Sequence, residues 1–256
     1  MPFVTLPNNV RTYYELTGTG TPIVFVHPPN MGIITFKFQK PLSDHFQLLM
    51  YDLRGNGKST HNNERITVTK LADDLYFLFK KLHIREAFIC GYSNGGSIAI
   101  EFAIKYPEFI KGVILIGGFS EVNTPMLRAE FQLGILSVRL GGLPLVAKAI
   151  SRAHSKTKAY KKELENYIKK SDRKAVYQMY KSGLKYVATN RLQHMKGPLL
   201  LVYGKKDRYV HSYQKAFKKF VSNVEVVYVS NVRHQVPTLK ANELNTIIHQ
   251  FVHKYS

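Results

Sequence analysis

The segment that decides the fold is Glu86-Ala87-Phe88-Ile89-Cys90-Gly91-Tyr92-Ser93-Asn94-Gly95-Gly96. Its first five residues are a short run of strand character, and the apolar residues from Gly96 to Ala103 have the spacing of a buried helix. The motif G-x-S-x-G therefore lies between a strand and a helix, which is the setting of a nucleophile elbow. Glycines at so tight a turn avoid clashes around the serine, whose hydroxyl projects from the backbone. The segment predicts that Ser93 is a catalytic nucleophile.

A serine hydroxyl needs a histidine to take its proton and an acid to orient that histidine. In a chain with this elbow, the expected order along the sequence is serine, acid, histidine. Two aspartates follow Ser93, and Asp172 lies in a charged stretch that is typical of a solvated helix face. Asp207 comes just after the apolar strand at residues 197–204, at the sheet edge where ligands of parallel α/β sheets bind. Asp207 is the predicted acid, and Glu121, which follows another predicted strand, is the alternative.

Four histidines follow Asp207 in the sequence. His249 and His253 lie four residues apart on a predicted terminal helix, and His211 opens the helix after Asp207. His234 instead follows a predicted strand and a short loop, a position from which a side chain can reach a serine on a neighbouring strand. The sequence therefore predicts His234 as the general base.

Five motifs together give the chain a resemblance to the α/β-hydrolase superfamily, in its branch of small single-domain serine hydrolases and esterases with a helical lid. The resemblance covers nearly the whole chain. It rests on the elbow and on VHPPNMG at residues 26–32, YDLRGNGKS at 51–59, GKKD at 204–207 and RHQ at 233–235. By this resemblance, Ser93, Asp207 and His234 form a catalytic triad, and no cofactor or metal is needed.

The order of the predicted elements agrees with that fold. Strands and helices alternate, which indicates a mostly parallel central sheet flanked by helices. The alternation stops between residues 121 and 196, which contain no credible strand, and it resumes at Pro198. We therefore predict an α/β-hydrolase fold whose core comprises residues 1–120 and 197–256. A helical, basic cap at residues 121–196 is inserted before the late core strands.

The resemblance also assigns structural roles and reveals one departure. Asp52, Arg54 and His27 are expected to hold structure near the site rather than to act in the chemistry. After the early strand, the family commonly has His-Gly-x, with a backbone N–H nearby that binds the oxyanion. This chain has prolines at residues 28 and 29, and proline has no N–H.

The predicted oxyanion and substrate-binding residues follow from that departure. One donor is the N–H of Asn94, the residue after the nucleophile. The facing loop around Pro29 is expected to supply the N–H of Asn30 or Met31. The side-chain amide of Asn30 is a weaker candidate, because a flexible donor loses more entropy on ordering.

The formal net charge of +20 is the unusual feature of the composition. Residues 121–196 hold 16 Lys and Arg against 5 Asp and Glu, so this segment carries more than half of the excess. Such a field attracts anions and acidic surfaces. Three explanations remain open, namely a general composition bias, an anionic substrate or surface, and nucleic acid. Nucleic acid is not expected as a partner, because the sequence has no helix-turn-helix, RRM or zinc-finger signature.

Length and composition suit one α/β domain, since 256 residues that are 45% hydrophobic can bury a substantial core. The single Cys90 excludes an intrachain disulfide and fits a reducing compartment. The sequence shows no secretory signal pattern and no apolar run of about 18 residues, so a cytoplasmic protein without a membrane span is expected.

The predicted function is that of a carboxylesterase, which cleaves a small to medium ester through an acyl-enzyme. The same triad would also serve a C–C bond hydrolase, a thioesterase, a lactonase or a perhydrolase. A signalling or binding protein with little turnover is a further alternative. The substrate is a small molecule, either apolar or anionic.

Overall fold

The structure is a computed structural model that describes residues 2–256, with the side chain of Asn8 left aside. Eight strands form one sheet in the order β1-β2-β4-β3-β5-β6-β7-β8. Adjacent strands from β4 to β8 are parallel, whereas β2 is antiparallel to both β1 and β4. This arrangement confirms the predicted α/β-hydrolase fold. The strands are β1 (Phe3–Leu6), β2 (Val10–Thr17), β3 (Pro22–Val26), β4 (Gln47–Tyr51), β5 (Ala87–Tyr92), β6 (Ile110–Ile116), β7 (Leu199–Gly204) and β8 (Val224–Val229).

Helices cover both faces of the sheet, so its inner strands are buried on both sides and read as apolar runs. Every residue of β5 and β7 is buried. Side chains along β5 alternate between two core clusters, with Ile89 in one and Phe88 and Cys90 in the other. The α-helices are α1 (Val68–Lys81), α2 (Asn94–Lys105), α3 (Pro125–Arg139), α4 (Leu143–Ala153), α5 (Lys158–Ile168), α6 (Arg173–Lys185), α7 (Gln214–Phe220), α8 (Val236–Leu239) and α9 (Ala241–Tyr255).

Short 3-10 segments connect several of these elements. The longest follows β3 and lies beside α8 and α9, on the face of the second core cluster. The segments are Pro7–Asn9, Ile33–Asp44, Pro107–Phe109, Thr189–His194 and His211–Tyr213.

Four helices, α3 to α6, lie between β6 and β7, within residues 121–196, for which a cap was expected. A single β-bridge between Glu121 and Val187 joins the two ends of this insertion. Asp172 is exposed to solvent, as the charge pattern indicated, but it also has a structural role. It precedes α6 as the N-cap and accepts a hydrogen bond from the N–H of Ala175, 2.7 Å away. Its own N–H donates to the carbonyl of Gly55 in the core, also at 2.7 Å.

Candidate active site

Ser93 lies on a strained turn between β5 and α2, with φ 53° and ψ −127°. A non-glycine residue adopts a positive φ only at a cost, which indicates that the surroundings hold the turn in place. A Cβ at Gly95 would collide with the carbonyl oxygen of Val26, and a Cβ at Gly91 would lie 2.7 Å from the Cα of Gly96. The glycines of the elbow are therefore required by close backbone approach, as the sequence indicated.

Asp207 and His234 are hydrogen bonded, with 2.6 Å between Oδ2 of the aspartate and Nδ1 of the histidine. They lie on two loops that follow β7 and β8, and the N–H of Lys206 donates to the carbonyl of Val232 at 3.0 Å, which joins these loops. Asp207 is 1% exposed, so its carboxylate faces the imidazole with little competition from water. Neutral His234 then carries its proton on Nδ1, which leaves Nε2 free to accept one.

The carboxyl end of β6 contacts both His234 and the elbow. The carbonyl of Ile116 accepts the N–H of Ser93 at 2.8 Å. The next residue, Gly117, has no room for a side chain, because a Cβ there would lie 2.6 Å from Cε1 of His234. The ring of Tyr92, which precedes the serine, lies 5.3 Å from the imidazole between ring centroids. The structure thus brings the predicted nucleophile, acid and base to one edge of the sheet.

The protonation of His234 depends on several neighbours. Burial would lower its pKa, but the hydrogen bond and the charge of Asp207 act in the opposite direction, and Glu130 adds a smaller effect of the same sign. The net result is a pKa of His234 above the ordinary 6.5. The ring of Tyr209 stacks on the imidazole at 6.0 Å. Burial raises the pKa of the Tyr209 phenol, and the carboxylates of Glu130 and Asp207 raise it further.

Sequence reasoning did not identify three residues that surround His234, namely Glu130, His154 and Tyr209. Glu130 lies on α3 among charged and apolar residues, and nothing in that pattern predicts that its charge acts on the imidazole of His234. His154 ends α4, where burial and nearby His234 lower its pKa to about 3. Tyr209 follows the predicted acid, Asp207, by two residues. This closeness in sequence was the one indication that Tyr209 lies near the candidate site.

The two backbone donors expected on the facing loop already have acceptors. The N–H of Asn30 donates to Oδ1 of Asn56 at 2.6 Å, and the N–H of Met31 donates to the carbonyl of Pro28 at 3.3 Å. The expectation that one of these groups is free to bind an oxyanion is therefore not met in this structure. The sequence could not show this contact, because Asn56 lies on the loop after β4 and reaches Asn30 only when β4 pairs with β3.

The side chain of Asn30 offers a different donor. Asn30 is fully buried at φ 76°, and neither atom of its side-chain amide has a hydrogen-bond partner in the described part of the chain. A buried amide without a partner costs free energy, so it needs an explanation such as a ligand or an ordered water. At the elbow, Asn94 opens α2, where the N–H groups of a helix have no acceptor within it.

The other candidates for the acid and the base contact groups outside the triad. Glu121 accepts hydrogen bonds from the side chains of Thr189 and Asn123. His211 contacts the carbonyl of Gly204 through Nε2 at 2.9 Å. His249 and His253 on α9 stack on each other, with 6.1 Å between their ring centroids.

Asp52 and His27 organise the loops near the site. Nε2 of His27 accepts the N–H of Leu53 at 2.9 Å, so Nδ1 carries the proton and donates to the carbonyl of Pro28 at 2.8 Å. Burial lowers the pKa of His27 to about 4, in keeping with this neutral form. Asp52 accepts the hydroxyl of Tyr167 on α5 at 2.7 Å and thereby ties the insertion to the core.

Arg54 forms a buried two-point ion pair with Asp74, through Nε and Nη2. The guanidinium is thus committed to α1 and not directed at the elbow.

In the part of the chain that the structure describes, no group of three or more His, Cys, Asp or Glu side chains is arranged to hold a metal ion. No described helix combines the length and apolar character that crossing a membrane requires.

The fold and this arrangement define an α/β-hydrolase, and the comparisons with known proteins agree. A family model described as serine aminopeptidase, S33, matches residues 42–238. The chain therefore belongs to that family of the α/β-hydrolase superfamily. It is 23% identical to the AB hydrolase superfamily protein YisY of Bacillus subtilis, with 97% of this chain and 98% of that protein aligned.

Other relatives match over a shorter stretch. The uncharacterized protein Mb2734 of Mycobacterium bovis is 29% identical over 56% of this chain, and the match covers 43% of the relative's length.

Among solved structures, an esterase from Exiguobacterium antarcticum superposes with a TM-score of 0.89 at 17% identity, over 98% of each chain. The enol-lactonase of Burkholderia xenovorans LB400 superposes with a TM-score of 0.87 at 18% identity, over 98% of this chain and all of that one. At these identities the likeness establishes the fold.

Proposed function

We propose that the protein is a cofactor-independent serine hydrolase that cleaves carboxylic esters through an acyl-enzyme. The observation that carries the proposal is the buried 2.6 Å pair of Asp207 and His234, which lies against the end of the same strand that holds the backbone of Ser93. A histidine that is oriented by a buried carboxylate and lies beside a serine hydroxyl is the arrangement that activates a serine nucleophile.

In the proposed reaction, Nε2 of His234 takes the proton of the Ser93 hydroxyl as its oxygen attacks the ester carbonyl. The resulting imidazolium is stabilised by Asp207, and it then gives the proton to the departing alcohol. Water, activated by the same histidine, attacks the acyl-enzyme and releases the acid and the free serine. The raised pKa of His234 suits the second role, because a more basic imidazole holds the proton until the leaving group needs it.

The oxyanion of the tetrahedral intermediate needs hydrogen-bond donors that are already in position. We assign one to the backbone N–H of Asn94. The other is assigned to the side-chain amide of Asn30, because its backbone N–H is engaged with Asn56 while its amide is buried and has no partner. Pro29 and Met31 then shape the loop and supply no donor.

The helical insertion is proposed to act as a lid that encloses the substrate. Glu130 on α3 influences the protonation of His234, and a Cβ at Gly183 on α6 would lie 2.5 Å from Oδ1 of Asn94. One helix of the insertion, α6, therefore lies against the elbow, and another, α3, carries a charge that acts on His234. A small substrate, of the apolar or anionic kind that the sequence left open, would bind between them.

The test is the reaction of the protein with a nitrophenyl ester, followed by stopped-flow measurement of nitrophenol release. We expect a burst of one equivalent per protein, which marks an acyl-enzyme, and labelling of Ser93 by a fluorophosphonate probe. The Ser93→Ala variant should fold normally and lose several orders of magnitude in turnover. Activity of this variant above a tenth of wild type would refute the role of Ser93. Absence of both burst and labelling in the wild-type protein would favour a binding function on this scaffold.

A further inference from the structure

The helix α3 is apolar on two opposite faces. Leu127, Phe131 and Val138 are buried against the rest of the protein. At about 100° per residue, a second group of side chains lies within an arc of roughly 80° on the other side of the helix. This group faces solvent and consists of Met126 (63% exposed), Leu133 (65%), Leu136 (51%) and Leu140 (75%).

Exposed apolar side chains continue along the chain onto the next helix. Leu145 at the start of α4 is 73% exposed. Of the eight large apolar side chains exposed in the described part of the chain, five lie in this stretch of α3 and α4. Single exposed leucines need no explanation, but a group of apolar side chains on one face of a helix is typical of an interaction site. We call these five residues, Met126, Leu133, Leu136, Leu140 and Leu145, the outer stripe.

A basic cleft adjoins the outer stripe and shares a residue with it. The cleft has a volume of about 560 Å³ and is lined by Leu145 together with the cations Lys148, Arg152 and Lys161. In the part of the chain that the structure describes, none of these three cations forms a salt bridge, although the charge of Glu165, which is paired with Lys169, also interacts with Lys148 and Lys161. Apolar side chains bordered by an excess of cations match the two layers of a membrane surface, the acyl boundary and the phosphate headgroups.

We infer that the outer stripe and the basic cleft bind the surface of a membrane that contains anionic phospholipids. The side chains of the stripe would enter the acyl boundary, while Lys148, Arg152 and Lys161 bind lipid phosphates. A second copy of this chain is the less suitable occupant, because residues 121–196 hold 16 Lys and Arg against 5 Asp and Glu and would repel themselves. The inference does not depend on the chemistry of Ser93.

Binding at this surface would also serve the proposed function. Glu130 lies on α3 and acts on the protonation of His234, so the helix that contacts lipid also borders the catalytic edge. An apolar ester dissolved in the membrane would then have a short path to the serine.

The experiment measures cosedimentation of the full chain with vesicles of pure phosphatidylcholine and of equal parts phosphatidylcholine and phosphatidylserine. We expect binding to the anionic vesicles, with a partition coefficient that falls as salt is added, and much weaker binding to the neutral ones. The Leu133→Gln/Leu140→Gln variant should reduce the partition coefficient by about tenfold or more, because the apolar area that enters the membrane is lost. The Lys148→Gln/Arg152→Gln variant should reduce it on the anionic vesicles only.

Matched controls keep the interpretation specific. Lys215→Gln/Lys218→Gln removes the same charge from exposed positions of α7, and it should bind nearly as wild type does. The Ser93→Ala variant should bind unchanged, which separates this inference from the proposed function. Circular dichroism checks that each variant is folded.

Three results would overturn the inference. One is equal binding of wild type to both kinds of vesicle, and another is wild-type binding by the Leu133→Gln/Leu140→Gln variant. The third is a dimer in analytical ultracentrifugation that the same variant dissociates, since a second copy of the chain would then cover the outer stripe.

Discussion

A methyl group added at Gly117 should disable the proposed catalytic histidine without replacing any residue of the triad. The new Cβ would lie 2.6 Å from Cε1 and 2.8 Å from Nδ1 of His234. Since nonbonded carbon atoms prefer separations of about 3.5–4.0 Å, the imidazole must move by about 1 Å. That movement disturbs the 2.6 Å hydrogen bond to Asp207. A misplacement of about 1 Å typically costs on the order of 100-fold in rate, so the Gly117→Ala variant should lose about that factor in kcat/KM.

The same substitution also has a backbone cost, which must be separated from the effect on the histidine. Gly117 has φ +58°, and a left-handed conformation costs a residue with a Cβ about 1–2 kcal/mol. For a chain of this size, each kcal/mol lowers the Tm by about 2–4 °C. Gly141 provides a matched control, because it has φ +79° and its added Cβ would meet only the end of the Arg173 side chain, at 3.6 Å.

The assay compares kcat/KM on a nitrophenyl ester, the fluorophosphonate labelling rate and the Tm for Gly117→Ala and Gly141→Ala. We expect a loss of Tm in both variants, larger in Gly117→Ala because the contact with His234 adds to the backbone cost, and loss of kcat/KM and of labelling in Gly117→Ala alone. Retention of more than half of the wild-type kcat/KM by Gly117→Ala would refute the reasoning. An equal loss of activity in Gly141→Ala would show that the backbone cost, and not the contact with the histidine, is responsible.

Three further predictions concern the residues around the serine. Asp207→Asn should lower kcat by about 10⁴-fold, because the amide favours the wrong imidazole tautomer. Glu121→Gln should have little effect on kcat. The reverse order of the two variants in a matched assay would make Glu121 the acid. Because only neutral His234 accepts a proton, kcat/KM should rise with pH through an apparent pKa above 6.5. Glu130→Gln should lower that pKa, because it removes a nearby negative charge. An unchanged pH profile in this variant would exclude the interaction between Glu130 and His234. Asn30→Gly tolerates the positive φ and removes the amide, so kcat should fall by about 10²–10³-fold with a smaller change in KM, and an unchanged kcat would leave the oxyanion to Asn94.

Local patterns in the sequence were sufficient for the elements that carry the candidate site. The apolar runs expected as strands before the elbow and at residues 197–204 are β5 (Ala87–Tyr92) and β7 (Leu199–Gly204) in the structure. The helix expected from the apolar spacing of Gly96 to Ala103 is α2, which extends about two residues further at each end. These features were readable because apolar periodicity and glycine requirements act over a few residues, and chain order alone then limited the acid and the base to a few candidates.

Contacts between distant residues were decided only by the tertiary structure. The N–H of Asn30 is engaged by Asn56, 26 positions later. Glu130 influences His234 across 104 positions, from a helix whose pattern gives no sign of it. Whether a buried donor is free, and which charge lies beside an imidazole, depends on how loops and helices pack against each other. The sequence by itself therefore determined which groups are present and at which edge of the sheet they emerge. Their free hydrogen-bonding atoms, their pKa values and the face that α3 leaves exposed were determined by packing, because these properties depend on neighbours that no local pattern identifies.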